Sequence, residues 1–167
     1  MHPITKKLVL GTAQFGSSYG IANQEGKPDR QNVFKILSLA WKHGINRFDT
    51  APDYGSEKIL GEFITAHGIS DSVKVLTKIP AQSKKRDFKE NINRSLEDSL
   101  QLLQAPIDVL FFHSSIDSKY FKAEPTFFEN LVFEKPIRML GASIYDPTEL
   151  EAFSSQNMSV AYQFPYN

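Results

Sequence analysis

Short β-rich runs and amphipathic helical patterns take turns along all 167 residues, and this alternation narrows the possible folds more than any other feature of the sequence. The runs are Leu8–Leu10, Ile45–Ala51, Val73–Ile79, Ile107–His113, Ile137–Ser143 and Val160–Tyr166. The spacing predicts a helix opening at Asp29, in which Val33, Ile36, Leu37, Ala40 and Trp41 form one apolar stripe before Gly44 ends it. A second pattern places Ile59, Leu60, Phe63 and Ile64 on one face and stops at Gly68. The clearest one steps through Phe88, Ile92, Leu96, Leu100 and Leu103. A weaker pattern covers Pro125–Glu134, and another starts at Pro147, with Asp146 as its N-cap, and runs to about Gln156.

Five βα units followed by a sixth strand imply a parallel sheet with right-handed crossovers. A doubly wound sheet and a barrel can both be built this way. The first would need a glycine fingerprint between its first strand and first helix. The stretch Gly11-Thr12-Ala13-Gln14-Phe15-Gly16-Ser17-Ser18-Tyr19-Gly20 is long and does not run G-x-G-x-x-G into a helix, and no phosphate-binding G-x-x-x-x-G-K-[ST] occurs elsewhere. The favoured reading is therefore an α/β fold of the (β/α)8 TIM-barrel type, with residues 1–167 as a single domain. The loops are short except for Gln14–Pro28, which is rich in Gly and Ser.

Composition removes several classes of function. The formal net charge is +0, so the basic footprint needed for nucleic acid or for an anionic membrane surface is missing. No apolar stretch approaches the length of a membrane span. Without cysteine there is no disulfide, no thiolate nucleophile and no Cys-ligated metal, and no H-E-x-x-H or comparable spacing suggests another metal centre. A cytoplasmic protein is the default expectation.

Catalytic side chains in a parallel barrel come from the C-terminal ends of several strands. Four residues here occupy such positions: Asp49 and Tyr54 after the second run, Lys78 at the end of the third and His113 at the end of the fourth. A phenol is a weak acid, and a neighbouring ammonium or imidazolium favours its ionised form and so eases donation of its proton. Lys78, turned inward, needs an anion, and Asp49 on the neighbouring strand is the obvious one. Taken singly, each residue has a structural reading: Tyr54 packing in a loop, Lys78 reaching the rim, His113 as a hydrogen-bonder, Asp49 as a cap. As a set at one mouth they point to proton donation to a carbonyl. Other candidates carry less. His2, His43 and His67 read as surface residues, Lys84-Lys85-Arg86 as a solvated loop, and Phe127, Phe128 and Phe133 as core; Ser114-Ser115 lacks the context of an acyl-transfer nucleophile.

These residues resemble the aldo/keto reductase family. Leu8-Val9-Leu10-Gly11-Thr12 is similar to the family's opening strand, and Asp49-Thr50-Ala51-Pro52-Asp53-Tyr54-Gly55 to its Asp-x-Ala-x-x-Tyr-Gly motif, followed by Ser56-Glu57 and Leu60-Gly61. Lys78 and His113 match the third and fourth strand ends, Gly141-Ala142-Ser143-Ile144-Tyr145 the fifth, and Gln163-Phe164-Pro165-Tyr166-Asn167 the sixth. The resemblance implies an NADP(H)-dependent oxidoreductase acting on a small-molecule aldehyde or ketone. Tyr54 would be the general acid, tuned by Lys78 and Asp49, and His113 would orient and polarise the carbonyl. Gly11, Thr12, Asp49, Ser143 and Gln163 would lie along the nicotinamide and its ribose. The family often has Asn where this chain has Ile144.

The resemblance also implies eight strands, and six are read. The barrel is therefore expected to be incomplete, truncated after its sixth strand. Two consequences are expected: a catalytically weak or inactive family member that acts as a fragment, binding or assembly module, as the alternative to an active reductase, and self-association through open sheet edges. A phosphate-handling barrel isomerase is a third, weaker reading, because the phosphate site of that architecture lies near its last two strands.

Overall fold

The computed structural model describes residues 3–20, 23–80, 87–114, 117–153 and 158–166. Its strands are β1 (Leu10–Gly11), β2 (Arg47–Asp49), β3 (Lys74–Ile79), β4 (Ile107–Phe112), β5 (Ile137–Ser143) and β6 (Val160–Gln163). They form one parallel sheet in sequence order. Helices α1 (Ala13–Gly16), α2 (Arg30–Lys42), α3 (Glu57–His67), α4 (Phe88–Leu103), α5 (Ser118–Ala123) and α6 (Pro125–Glu134) lie between the strands, with 3-10 turns at Pro52–Tyr54 and Pro147–Phe153. Among the described residues, no helix is long and apolar enough to cross a membrane.

The sheet curls into part of a barrel. Four strand spacings separate β2 from β6, about 19 Å in a flat sheet. Yet the Gln163 side-chain amide at the end of β6 donates to Asp49 at the end of β2 over 3.2 Å. Two apolar layers result. The outer face of the sheet (Phe48, Val75, Leu110, Phe112, Leu140) packs under the helices against Leu37, Leu60, Phe63, Ile92 and Leu103. Phe112, Phe121, Phe128 and Phe153 form an aromatic block within this layer, with ring centroids as close as 5.1 Å. The concave face carries a smaller cluster of Leu76, Val109 and Phe111, flanked by Met139 and Ala161. Gly141 makes this packing possible: a Cβ there would lie 2.5 Å from the Phe111 ring.

Helix boundaries follow local chemistry. Asp29 caps α2 by accepting from the Asn32 backbone N–H at 2.8 Å. Gly44 and Gly68, which follow α2 and α3, have φ of 86° and 61°, in the region where glycine is unstrained. α3 and α4 cross at Gly61, where a Cβ would meet the Leu102 carbonyl at 1.9 Å.

Several expectations change. The first strand is Leu10–Gly11 rather than Leu8–Leu10, and Leu8 and Val9 are exposed beside it. β2 is trimmed to Arg47–Asp49, although Thr50 still donates its N–H to the Leu76 carbonyl at 2.8 Å and Ala51 stays extended ahead of the 3-10 turn that carries Tyr54. β6 stops at Gln163, two residues before Pro165, which has no N–H to give a neighbouring strand. α5 was not anticipated. The segment after Asp146 is a 3-10 turn held by Asp146 accepting from Thr148, and its expected end at Gln156 lies outside the described residues, as do His2 and Lys84-Lys85-Arg86. Phe133 is not core: it is 90% exposed. At 100° per residue it sits far round α6 from the buried Phe128.

Candidate active site

The strand ends β2 to β6 place six of the expected residues in one hollow. Asp49, Tyr54, Lys78, His113, Ser143 and Gln163 line a cavity of about 270 Å³, with Ile144, Tyr145, Phe164 and Pro165 as its other walls. That is room for a ring-sized group and a carbonyl, and too little for a whole dinucleotide. A larger hollow of about 560 Å³ lies by α4 and α5, among Phe88, Tyr120 and a ring of mixed charges. It brings together none of the expected residues.

Lys78 sits at the floor. It is the fifth residue of β3, turned to the concave side and only 4% exposed. Its ammonium donates to both Asp49 carboxylate oxygens, at 2.7 and 2.9 Å, and to the Thr50 carbonyl at 3.0 Å. All three of its N–H groups are thus engaged. The ammonium also lies 4.9 Å from the centroid of the Tyr54 ring. Asp49 Oδ2 accepts a further bond from Gln163, whose own carbonyl oxygen takes the Ser143 hydroxyl at 3.4 Å. A continuous polar path therefore runs from β5 to β3 across the mouth.

Tyr54 ends the 3-10 turn Pro52–Tyr54, and Gly55, at φ 69°, turns the chain into α3. Its ring meets His113 edge-on, with centroids 6.1 Å apart, and Tyr19 from the long loop lies tilted against it at 6.3 Å. His113 Nδ1 faces the Asp53 carboxylate at 3.7 Å, an ion-pair distance rather than a hydrogen bond.

The electrostatics of the phenol run against the expectation that Lys78 makes it a stronger acid. Its pKa is pushed up to about 12, first by burial and then by the Asp49 carboxylate, with smaller contributions from Tyr19, Tyr145 and Asp53. Burial penalises the charged phenolate, and the Asp49 carboxylate that pairs with Lys78 adds to the upward push. The site as it stands keeps Tyr54 firmly protonated.

Gly11 and Thr12 lie off this cavity. Gly11 is exposed on β1, and Thr12 is wholly buried with its hydroxyl donated to the Asp49 carbonyl at 2.9 Å and paired with Ser56 at 2.9 Å. Sequence reasoning had not singled out Tyr19 or the Asp53–His113 contact. Asp53 was visible as the residue before the tyrosine. Nothing in the loop around Tyr19 fixed where it would point.

The comparisons with known proteins agree on one family. The model of the aldo/keto reductase family matches residues 7–167. L-galactose dehydrogenase of Arabidopsis thaliana is 33% identical over 112 residues, covering 62% of this chain and 33% of the relative. Among solved structures, a glycerol dehydrogenase of Gluconobacter oxydans superposes with a TM-score of 0.67 at 28% identity, covering 95% of this chain and 51% of that one. An aldo/keto reductase of Klebsiella pneumoniae, solved with NADP and acetate, gives a TM-score of 0.65 at 29% identity, covering 86% of this chain and 48% of that one. This chain spans between 31% and 57% of the length of the curated relatives it matches.

Proposed function

From the premise that the chain belongs to the aldo/keto reductase family, we propose that it is an oxidoreductase that reduces the carbonyl of a small aldehyde or ketone, with NADPH as hydride source and Tyr54 as proton donor. The observation that carries this reading is the Asp49–Lys78 pair beneath Tyr54, with His113 across the same hollow.

The donor set suits the nicotinamide end of such a cofactor. Ser143 offers a hydroxyl, Gln163 an amide with one donor and one acceptor end, and Asp49 a carboxylate, all on one wall. A carboxamide and a ribose hydroxyl ask for that mixture. Ile144 adds no polar side chain, so the carboxamide would rest on Ser143 and Gln163. Bound NADPH would supply the hydride.

The protein's own residues supply the rest. His113 orients the carbonyl oxygen toward Tyr54. As hydride reaches the carbonyl carbon, the developing alkoxide takes the phenolic proton and the product leaves as an alcohol. The resulting phenolate lies above the Lys78 ammonium and is reprotonated from water. The high resting pKa keeps the donor loaded at neutral pH, and the ammonium 4.9 Å from the ring then favours the phenolate relative to an isolated buried one. The test is NADPH-dependent loss of a panel of aldehydes and ketones by the purified chain, alongside a fluorescence titration of NADPH.

The open edges favour a second reading, a family member that binds or assembles without turning over substrate. β1 and β6 have no further partner strand among the described residues. No detectable NADPH binding by a folded chain at millimolar cofactor supports that reading; micromolar or tighter binding supports the first.

A further inference from the structure

Behind the site lies a buried chain of hydroxyls in which only Thr12 has an expected task, along the cofactor, and Thr50 and Ser56 have none. Thr12, Thr50 and Ser56 are each wholly buried. Ser56 Oγ lies 2.9 Å from Thr50 Oγ1 and 2.9 Å from Thr12 Oγ1, and Thr12 Oγ1 donates to the Asp49 carbonyl at 2.9 Å. Each hydroxyl has one hydrogen. Since Thr12 spends its hydrogen on Asp49, Ser56 must donate to Thr12 and Thr50 to Ser56. The direction of the whole chain is fixed, and Ser56 is its central link.

The same loop is gripped from a second side. Gly16, the last residue of α1, lies so close to the chain beyond Tyr54 that a Cβ there would sit 1.8 Å from the Tyr54 carbonyl oxygen and 2.7 Å from the Ser56 nitrogen. The Thr12 backbone N–H also donates to the Asp49 carbonyl at 2.9 Å. The segment after β1 is thus fastened both to the strand end that bears Asp49 and to the turn that bears Tyr54. Thr50 lends its carbonyl to Lys78 at 3.0 Å, so the hydroxyl chain and the ammonium hold the same short stretch.

We propose that Ser56 is a positioning residue for Tyr54, acting through the Thr50–Ser56–Thr12 hydroxyl chain that locks the segment after β1 against the turn bearing the phenol. Its consequence for catalysis rests on the oxidoreductase reading above; its consequence for the position of Tyr54 does not. Removing the Ser56 hydroxyl breaks two bonds in a dry interior and leaves Thr50 without its acceptor. The turn then opens and Tyr54 becomes better hydrated.

The test uses the full chain labelled at the tyrosine ζ-carbon, with Tyr54→Phe to assign the Tyr54 resonance by NMR. Ser56→Ala and Thr12→Val should each move that resonance and lower the Tyr54 titration midpoint toward the ordinary value of 10.0. Thr50→Ser, which keeps the hydroxyl, should leave the Tyr54 resonance where it is in the wild type. In turnover, Ser56→Ala should lower kcat by about tenfold or more through misplacement of the acid, with NADPH affinity held within about twofold. A Tyr54 resonance and midpoint unchanged in both Ser56→Ala and Thr12→Val overturn the proposal, as does a loss of stability in those variants with kcat intact. If the wild-type chain reduces no carbonyl, the oxidoreductase reading fails and the NMR result still decides the positioning role.

Discussion

Lys78 directs its ammonium at both oxygens of Asp49, over 2.7 and 2.9 Å, from a position almost sealed from water. Buried pairs of this kind are costly to break and cheap to replace as a unit. Asp49→Asn leaves an ammonium buried without its counter-charge and should destabilise the fold by about 3–5 kcal/mol. Lys78→Met leaves the carboxylate with Gln163 as its remaining side-chain partner and should also destabilise. The double variant should recover most of the loss, giving a large coupling energy in a denaturant-unfolding cycle. Additive losses would mean the pair does not act as one.

Glu57 gives the fold a pH dependence separate from the site. Its carboxylate is buried between β3, α3 and α4, accepting from Thr77 at 2.7 Å and from Ser99 at 3.1 Å. Burial raises its pKa above 4.5, and the two hydroxyl donors only partly oppose this. The folded pKa is above the unfolded one, so the unfolded chain releases the proton first as pH rises. The stabilisation is fully present below about 4.5 and is lost as pH climbs through the raised folded value. Glu57→Gln should remove that component. Urea midpoints of variant and wild type, measured across this range, should diverge in favour of the variant as pH rises; parallel curves would contradict the assignment.

Much of this was legible in the sequence, for local reasons. The stops at Gly44 and Gly68 need only a left-handed residue, the Asp29 cap needs only a backbone N–H three residues on, and the α4 stripe from Phe88 to Leu103 needs only its period. The convergence of Asp49, Tyr54, Lys78 and His113 followed from strand order, since each sits at or just past a strand end. What could not be read depends on which surfaces meet. Phe133 was placed in the core by type, but the turn of α6 carries it outward. The bonds of the Thr12 hydroxyl to Asp49 and Ser56 join segments 37 and 44 residues apart, which no local pattern announces. The raised Tyr54 pKa reflects first the burial of the phenol and then the nearby Asp49 carboxylate, both set by how the strand ends and loops close over it.

The two sheet edges predict association. Leu8 and Val9 are exposed beside β1, and Phe164 and Tyr166 are exposed just past β6. Edges without a partner strand among the described residues, flanked by apolar side chains, invite strand pairing with another copy. Light scattering should give a mass above that of the monomer. Val9→Lys, which puts a charge beside the β1 edge, should lower it. A clean monomer at all concentrations would contradict the prediction.

The reading stands or falls on the phenol. Tyr54→Phe removes one oxygen from a partly exposed ring, so the fold and the affinity for NADPH should be preserved. If Tyr54 gives the proton, kcat for NADPH-dependent carbonyl reduction should fall by about 10²–10⁴-fold. A Tyr54→Phe protein that binds NADPH and reduces the same carbonyl at the wild-type rate would contradict the account.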